Sequence, residues 1–126
     1  MGTKGPVAVV DDDPSTLRSI ERLLGAYGYA ARVYGSAESF LDDAGLVAAC
    51  LVLDIDLGGK SGIELRQELV ASGRDTPVIF ITGTDDDGVF ARAVNAGCVA
   101  FLRKPFAAHL LVDAIRKAEA VPSSRL

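Results

Sequence analysis

The chain has 126 residues, 49% of them hydrophobic, and a formal net charge of −4. That length suits one compact domain with one core, and the apolar content excludes global disorder. The acidic balance argues against a broad nucleic-acid footprint, and no apolar stretch approaches the roughly 20 residues that span a membrane.

Taken in chain order, short apolar runs alternate with longer segments of helical period. The opening, Met1-Gly2-Thr3-Lys4-Gly5-Pro6, lacks the apolar segment of a secretion signal. Residues 7–10 (Val-Ala-Val-Val) read as a first strand, followed by Asp11-Asp12-Asp13. Asp13 is placed as an N-cap and Pro14 as the first helical residue. Leu17, Ile20, Leu23, Leu24 and Tyr27 repeat at helical spacing, and Gly28 closes that helix. A weak second strand covers about residues 30–34, and Ser36 caps a short helix carrying Phe40 and Leu41.

The third strand, residues 50–54, ends on Asp54 and leads into Ile55-Asp56-Leu57-Gly58-Gly59-Lys60. Ser61 and Glu64 form a capping box for a helix ending near Gly73. Residues 78–82 make the fourth strand, and Asp85, Asp86 and Asp87 crowd the start of the next helix, where negative charge suits the dipole. That helix runs through Phe90 and Val94 to Gly97. The fifth strand covers about residues 99–103, and Leu110, Leu111, Ala114, Ile115 and Ala118 mark the last helix.

Five β-α units predict an α/β fold: a doubly wound, five-stranded parallel sheet with helices on both faces, in the flavodoxin-like order 2-1-3-4-5. The expected organisation is a single domain over residues 1–126, with an ordered core at about 6–120 and a tail or linker start at 121–126. Cys50 and Cys98 flank buried strands and read as reduced core residues, which with the absent signal segment predicts a cytoplasmic protein.

In an open parallel sheet, ligands bind at the carboxyl ends of the strands. Asp11, Asp12, Asp13, Asp54 and Asp56 are expected near that edge, so four or five carboxylates meet Lys104 there. Each pair of like charges at about 5 Å repels by roughly 3 kcal/mol at an effective dielectric near 20. A hard divalent cation removes that cost. Asp13 is explained by capping alone, and Asp54 has turn capping as a rival reading. Yet a carboxylate also serves as a phosphate-accepting nucleophile, given positive charge and donors around the phosphoryl oxygens. Lys104 and the hydroxyl of Thr82 stand at strand ends able to supply them. His109 has no companion ligand and reads as a surface imidazole. Gly59-Lys60-Ser61 lacks the first glycine of a phosphate-binding P-loop, since position 54 is Asp.

Over residues 6–120 the chain resembles the receiver domain of two-component response regulators. The resemblance is carried by Val9-Val10-Asp11-Asp12-Asp13, Leu51-Val52-Leu53-Asp54, Ser61-Gly62-Ile63-Glu64-Leu65, Val78-Ile79-Phe80-Ile81-Thr82-Gly83 and Lys104-Pro105-Phe106. It implies that Asp54 is the phosphoacceptor of a phosphorylation-controlled signalling switch. A sensor histidine kinase or a histidine phosphotransfer protein would be the donor. Mg²⁺, with Mn²⁺ as a substitute, would be held by Asp12, Asp54 and the backbone carbonyl of Asp56, with Asp11 acting through water. Thr82 and Lys104 would contact the phosphoryl group, and the Lys104-Pro105 bond would be cis. Phe101 would be a switch aromatic, with plain packing an equal alternative.

The surface of the fourth helix, fifth strand and last helix would then regulate a partner or output domain, with a phosphorylation-dependent dimer as a further option. No nucleic acid or membrane is expected as a direct partner. Such a domain catalyses its own phosphorylation and dephosphorylation without being an enzyme in the usual sense. The loop after Asp54 departs from the family in its Gly58-Gly59 pair, which predicts a mobile loop and weaker metal binding. Asp56 is expected to alter the lifetime of the phosphoryl group. The alternative from another class is an aspartate-nucleophile phosphohydrolase of the haloacid dehalogenase type, suggested by Asp54-Ile55-Asp56. That family, however, carries its D-x-D on the first strand.

Overall fold

The computed structural model describes residues 5–43 and 45–121. The expectations for the opening segment at 1–4 and the tail at 122–126 lie outside them. Five strands, β1 (Val7–Val10), β2 (Ala31–Tyr34), β3 (Cys50–Asp54), β4 (Val78–Thr82) and β5 (Ala100–Arg103), alternate with five helices. The helices are α1 (Pro14–Ala26), α2 (Ala37–Asp42), α3 (Gly62–Ala71), α4 (Asp87–Ala96) and α5 (Ala108–Glu119). All strand pairs are parallel, in the order β2-β1-β3-β4-β5, as the alternation predicts.

The three central strands are buried at every position, which explains their unbroken apolar runs. Their parity divides the core. Val7, Val9, Val52, Ile79 and Ile81 face α1 and α5, through residues such as Leu24 and Ile115. Val10, Leu51, Leu53, Val78 and Phe80 face the opposite layer, where Phe40 of α2, Leu65 of α3 and Ala93 of α4 pack.

Local chemistry sets the helix starts. The Asp13 carboxylate accepts from the Ser15 amide at 2.9 Å, with Pro14 opening α1. Ser36 and Ser61 each make a reciprocal capping box. Several apolar residues lie on the outer sides of helices. Tyr27 is the C-cap of α1 and exposed, so it does not belong to the apolar face assigned to it from spacing. Phe90, Val94 and Leu110 are also exposed, and α4 buries the smaller Val89 and Ala93 instead. Cys50 is buried and Cys98 half-buried, both as free thiols. Among the described residues, no helix is long and apolar enough to cross a membrane.

Candidate functional site

The site lies where β1, β3, β4 and β5 end. Pairing continues a step past the strands: the Ile55 amide donates to the Ile81 carbonyl at 2.9 Å, and the Lys104 amide to the Thr82 carbonyl at 2.7 Å. These bonds hold the turns that follow the strands at one level. Asp11 is fully buried, Asp54 nearly so, and Asp12 is exposed at the rim.

Three of these carboxylates converge, rather than four or five. Asp11, Asp12 and Asp54 each present one oxygen, and these oxygens lie within 4.8 Å of one another. Asp13 is turned away because its carboxylate caps α1, and Asp56 is exposed. Asp56 contributes its amide, which donates to Asp54 Oδ1 at 3.1 Å. An all-oxygen trio of this kind fits a hard cation.

Lys104 reaches into the trio from β5, with Nζ 2.8 Å from Asp11 Oδ2 and 3.3 Å from Asp54 Oδ2. The Lys104-Pro105 bond is cis. Two carboxylates therefore share one ammonium, and the charges respond unequally. Burial, and next the charge of Asp11, push the Asp54 carboxyl up to about 6 against the pull of the Asp56 amide and Lys104. Burial works to lower the Lys104 pKa, but its bonds to the two carboxylates hold it above the ordinary lysine value. Among the described residues, no buried side-chain polar atom lacks a hydrogen-bond partner.

Thr82 is fully buried at the end of β4, and its hydroxyl accepts from the Thr84 amide at 3.2 Å. On β5, the half-buried Phe101 ring meets Phe90 of α4 edge to face, with centroids 5.1 Å apart. Beside Lys104, a cleft of about 470 Å³ opens between α1 and the Pro105-Phe106 segment, floored by Ile20 and Leu23.

Two features escape a reading by spacing. Gly62 opens α3 directly behind β3: a Cβ there would stand 2.3 Å from the carbonyl oxygen of Asp54. The glycine inside the Ser61–Glu64 capping box is the one sequence signal for this close approach. The loop after Asp54 also makes contacts that its two glycines do not announce. Leu57 is buried, Gly58 takes φ +83° beside the Asp12 carboxylate, and Lys60 pairs with Glu68 of α3.

The model of the response regulator receiver domain matches residues 7–116. The chain belongs to this family. Receiver domains bind Mg²⁺ at an acidic pocket, and Asp11, Asp12 and Asp54 form such a pocket here. The chain is 35% identical over 113 residues to the response regulator protein TmoT of Ectopseudomonas mendocina, covering 89% of this chain and 51% of that protein. It is 41% identical over 114 residues to nodulation protein W of Bradyrhizobium diazoefficiens, covering 90% and 50%. The chain thus spans about half the length of these curated relatives. A crystal structure of FixJ-N superposes with a TM-score of 0.88 at 31% identity, covering 97% of this receiver and 99% of that chain.

Proposed function

We propose that this receiver is a cytoplasmic switch whose Asp54 accepts a phosphoryl group from a phosphohistidine. The donor is a sensor histidine kinase or a histidine phosphotransfer protein. The observation that carries this reading is the placement of Asp54, a buried carboxylate beside Asp11, Asp12 and the Lys104 ammonium. A carboxylate oxygen of Asp54 attacks phosphorus, the P–N bond breaks, and the histidine ring leaves with its electron pair. Lys104 supplies positive charge to the phosphoryl oxygens, and Thr82 supplies a hydroxyl donor. Asp12, Asp54 and the Asp56 carbonyl, with Asp11 through water, would hold Mg²⁺ or Mn²⁺, which would neutralise charge on the transferring group. The domain itself catalyses this transfer and the later hydrolysis.

Phosphorylation adds about one to two negative charges and new acceptor oxygens. Thr82 and Lys104 turn to them, Phe101 follows Thr82, and the face of α4, β5 and α5 changes. That face acts on a partner protein or an attached output domain, or pairs two phosphorylated copies. The domain makes no direct contact with nucleic acid or membrane.

The phosphohydrolase alternative loses ground because Asp54-Ile55-Asp56 begins at the end of the third strand, not the first, and Asp56 is exposed. No appreciable turnover of p-nitrophenyl phosphate is expected. The deciding experiment is incubation with Mg²⁺ and acetyl phosphate, read by intact mass. The wild type gains one phosphoryl group and Asp54→Ala gains none; an unmodified wild type would overturn the reading.

A further inference from the structure

From Thr82 to the start of α4, three alternate side chains, those of Thr82, Thr84 and Asp86, each accept a hydrogen bond from the amide two residues further on. The Thr84 amide donates to the Thr82 hydroxyl at 3.2 Å, and the Asp86 amide to the Thr84 hydroxyl at 3.3 Å. The Gly88 amide then donates to the Asp86 carboxylate at 2.7 Å, the N-cap bond of α4. One side-chain-to-amide turn of this type is common wherever Ser, Thr or Asp begins a turn. Three in register, running from a buried strand-end hydroxyl to a helix cap, leave the segment little slack.

The neighbouring contacts make the path directional. Thr82 continues the parity of Val78 and Phe80, the β4 residues that face the α4 layer. Asp85, within the relay, pairs with Arg103 at 3.3 Å, and Arg103 is the β5 register partner of Thr82. At the far end of α4, Arg66 donates to the Ala96 carbonyl at 3.4 Å and to Thr76 at 2.9 Å. The carboxyl end of α4 is thus held by a half-buried guanidinium, whereas its amino end is held by the relay, the buried Val89, the Phe90–Phe101 contact and an exposed ion pair.

We propose that Thr84 is a positioning residue that links the hydroxyl of Thr82 to the amino-terminal turn of α4. The inference rests on the reading of Asp54 as phosphoacceptor. When the Thr82 hydroxyl turns toward a phosphoryl oxygen, the Thr84 amide loses or follows its acceptor. The Thr84 hydroxyl carries that shift to Asp86. The helix then moves at its amino end about the carboxyl end held by Arg66, and Phe90 moves with it.

The test compares wild type, Thr84→Val and Thr84→Ser by amide exchange over residues 86–90, with and without Mg²⁺ and beryllofluoride, alongside acetyl phosphate labelling. Valine keeps the shape and removes the acceptor; serine keeps the acceptor. Losing one neutral hydrogen bond changes a population by about 2- to 10-fold. The Thr84→Val response at 86–90 is therefore expected to shrink by about that factor, with Asp54 still labelled and Thr84→Ser like wild type. A Thr84→Val response equal to wild type would overturn the relay alone, as would a Thr84→Ser response reduced as far as that of valine. Loss of Asp54 labelling in Thr84→Val would also overturn it, assigning Thr84 to the acceptor chemistry. A wild type that neither labels nor responds would remove the phosphoacceptor reading and the relay with it.

Discussion

Lys104 and Asp11 are joined at 2.8 Å across 93 positions of sequence, closer than Lys104 stands to Asp54 at 3.3 Å. The lysine is thus a structural counter-ion for the buried pair of carboxylates in addition to its proposed role with phosphate. Removing one partner of a buried ion pair leaves an uncompensated charge, and the cost falls when a partner is partly solvated. Lys104 is 26% exposed. Lys104→Met is expected to destabilise the metal-free protein by about 1–3 kcal/mol, with part of the loss recovered in saturating Mg²⁺. Urea unfolding with and without Mg²⁺ measures both. Equal midpoints for mutant and wild type without metal would rule out the counter-ion role.

Gly62 sets the distance between the start of α3 and the back of Asp54. A Cβ at Gly62 would meet backbone at 2.3 Å, whereas one at Gly59 would meet nothing within 4 Å. Backbone does not yield as a flexible side chain does. Gly62→Ala is expected to cost about 1–3 kcal/mol and to slow acetyl phosphate labelling of Asp54. Gly59→Ala serves as the control and is expected to be near neutral. Matching unfolding curves and labelling rates for the two variants would refute the argument.

How far the sequence foretells this site depends on what sets each residue. The central strands are legible because burial on both faces leaves runs such as Cys50-Leu51-Val52-Leu53 with no polar interruption. Strand ends then follow, and with them the level of Asp11, Asp54, Thr82 and Lys104. The direction of each carboxylate is less legible. Asp13 and Asp12 are neighbours, yet a local cap bond draws Asp13 to Ser15 and leaves Asp12 in the trio. Helix faces are ambiguous for a similar reason. On α4, Phe90 and Val94 repeat at the same spacing as the buried Val89 and Ala93, and packing chooses the smaller pair. The Thr84 relay and the contact of Gly62 with Asp54 depend on backbone turns that no periodicity reports.

Cys50 is sealed in the sheet, and burial pushes its thiol up from 9.0 to about 12. A thiol whose folded pKa is raised contributes stability that is full below the unfolded pKa and is lost as pH rises toward the folded value. The loss therefore falls between about pH 9 and 12, at up to roughly 1.4 kcal/mol per pH unit. Cys50→Ala is expected to flatten the fall in urea midpoint between pH 8 and pH 10. In the native protein at pH 8, a thiol reagent should modify the half-buried Cys98 ahead of Cys50. Equal labelling, or an unchanged pH slope in Cys50→Ala, would contradict this.

Asp56 offers its amide to Asp54 Oδ1 while its own carboxylate faces solvent. On the proposed role of Asp54 as phosphoacceptor, that carboxylate lies two residues from the phosphorylated side chain. Asp56→Asn keeps the backbone bond and removes the charge, so the phosphoryl lifetime is expected to change while the labelled fraction stays measurable. Decay of the phosphorylated species, followed by intact mass after removal of acetyl phosphate, gives the rate. Identical decay in both proteins would exclude the carboxylate from hydrolysis.

Phe101 has two readings, switch and simple packing, and its edge-to-face partner Phe90 separates them. Aromatic pairs of this geometry are coupled by about 0.5–1.5 kcal/mol beyond the area they bury. A double-mutant cycle of Phe90→Ala and Phe101→Ala in urea unfolding should return a coupling toward the lower part of that range, because Phe90 is 45% exposed. The cycle is then repeated with Mg²⁺ and beryllofluoride. If Phe101 follows Thr82, its ring leaves Phe90 in the liganded state and the coupling falls. If Phe101 only packs, it stays against Phe90 as α4 moves and the coupling is the same in both states. The comparison isolates the ring pair from the general stabilisation by ligand, which enters all four proteins of the cycle and cancels.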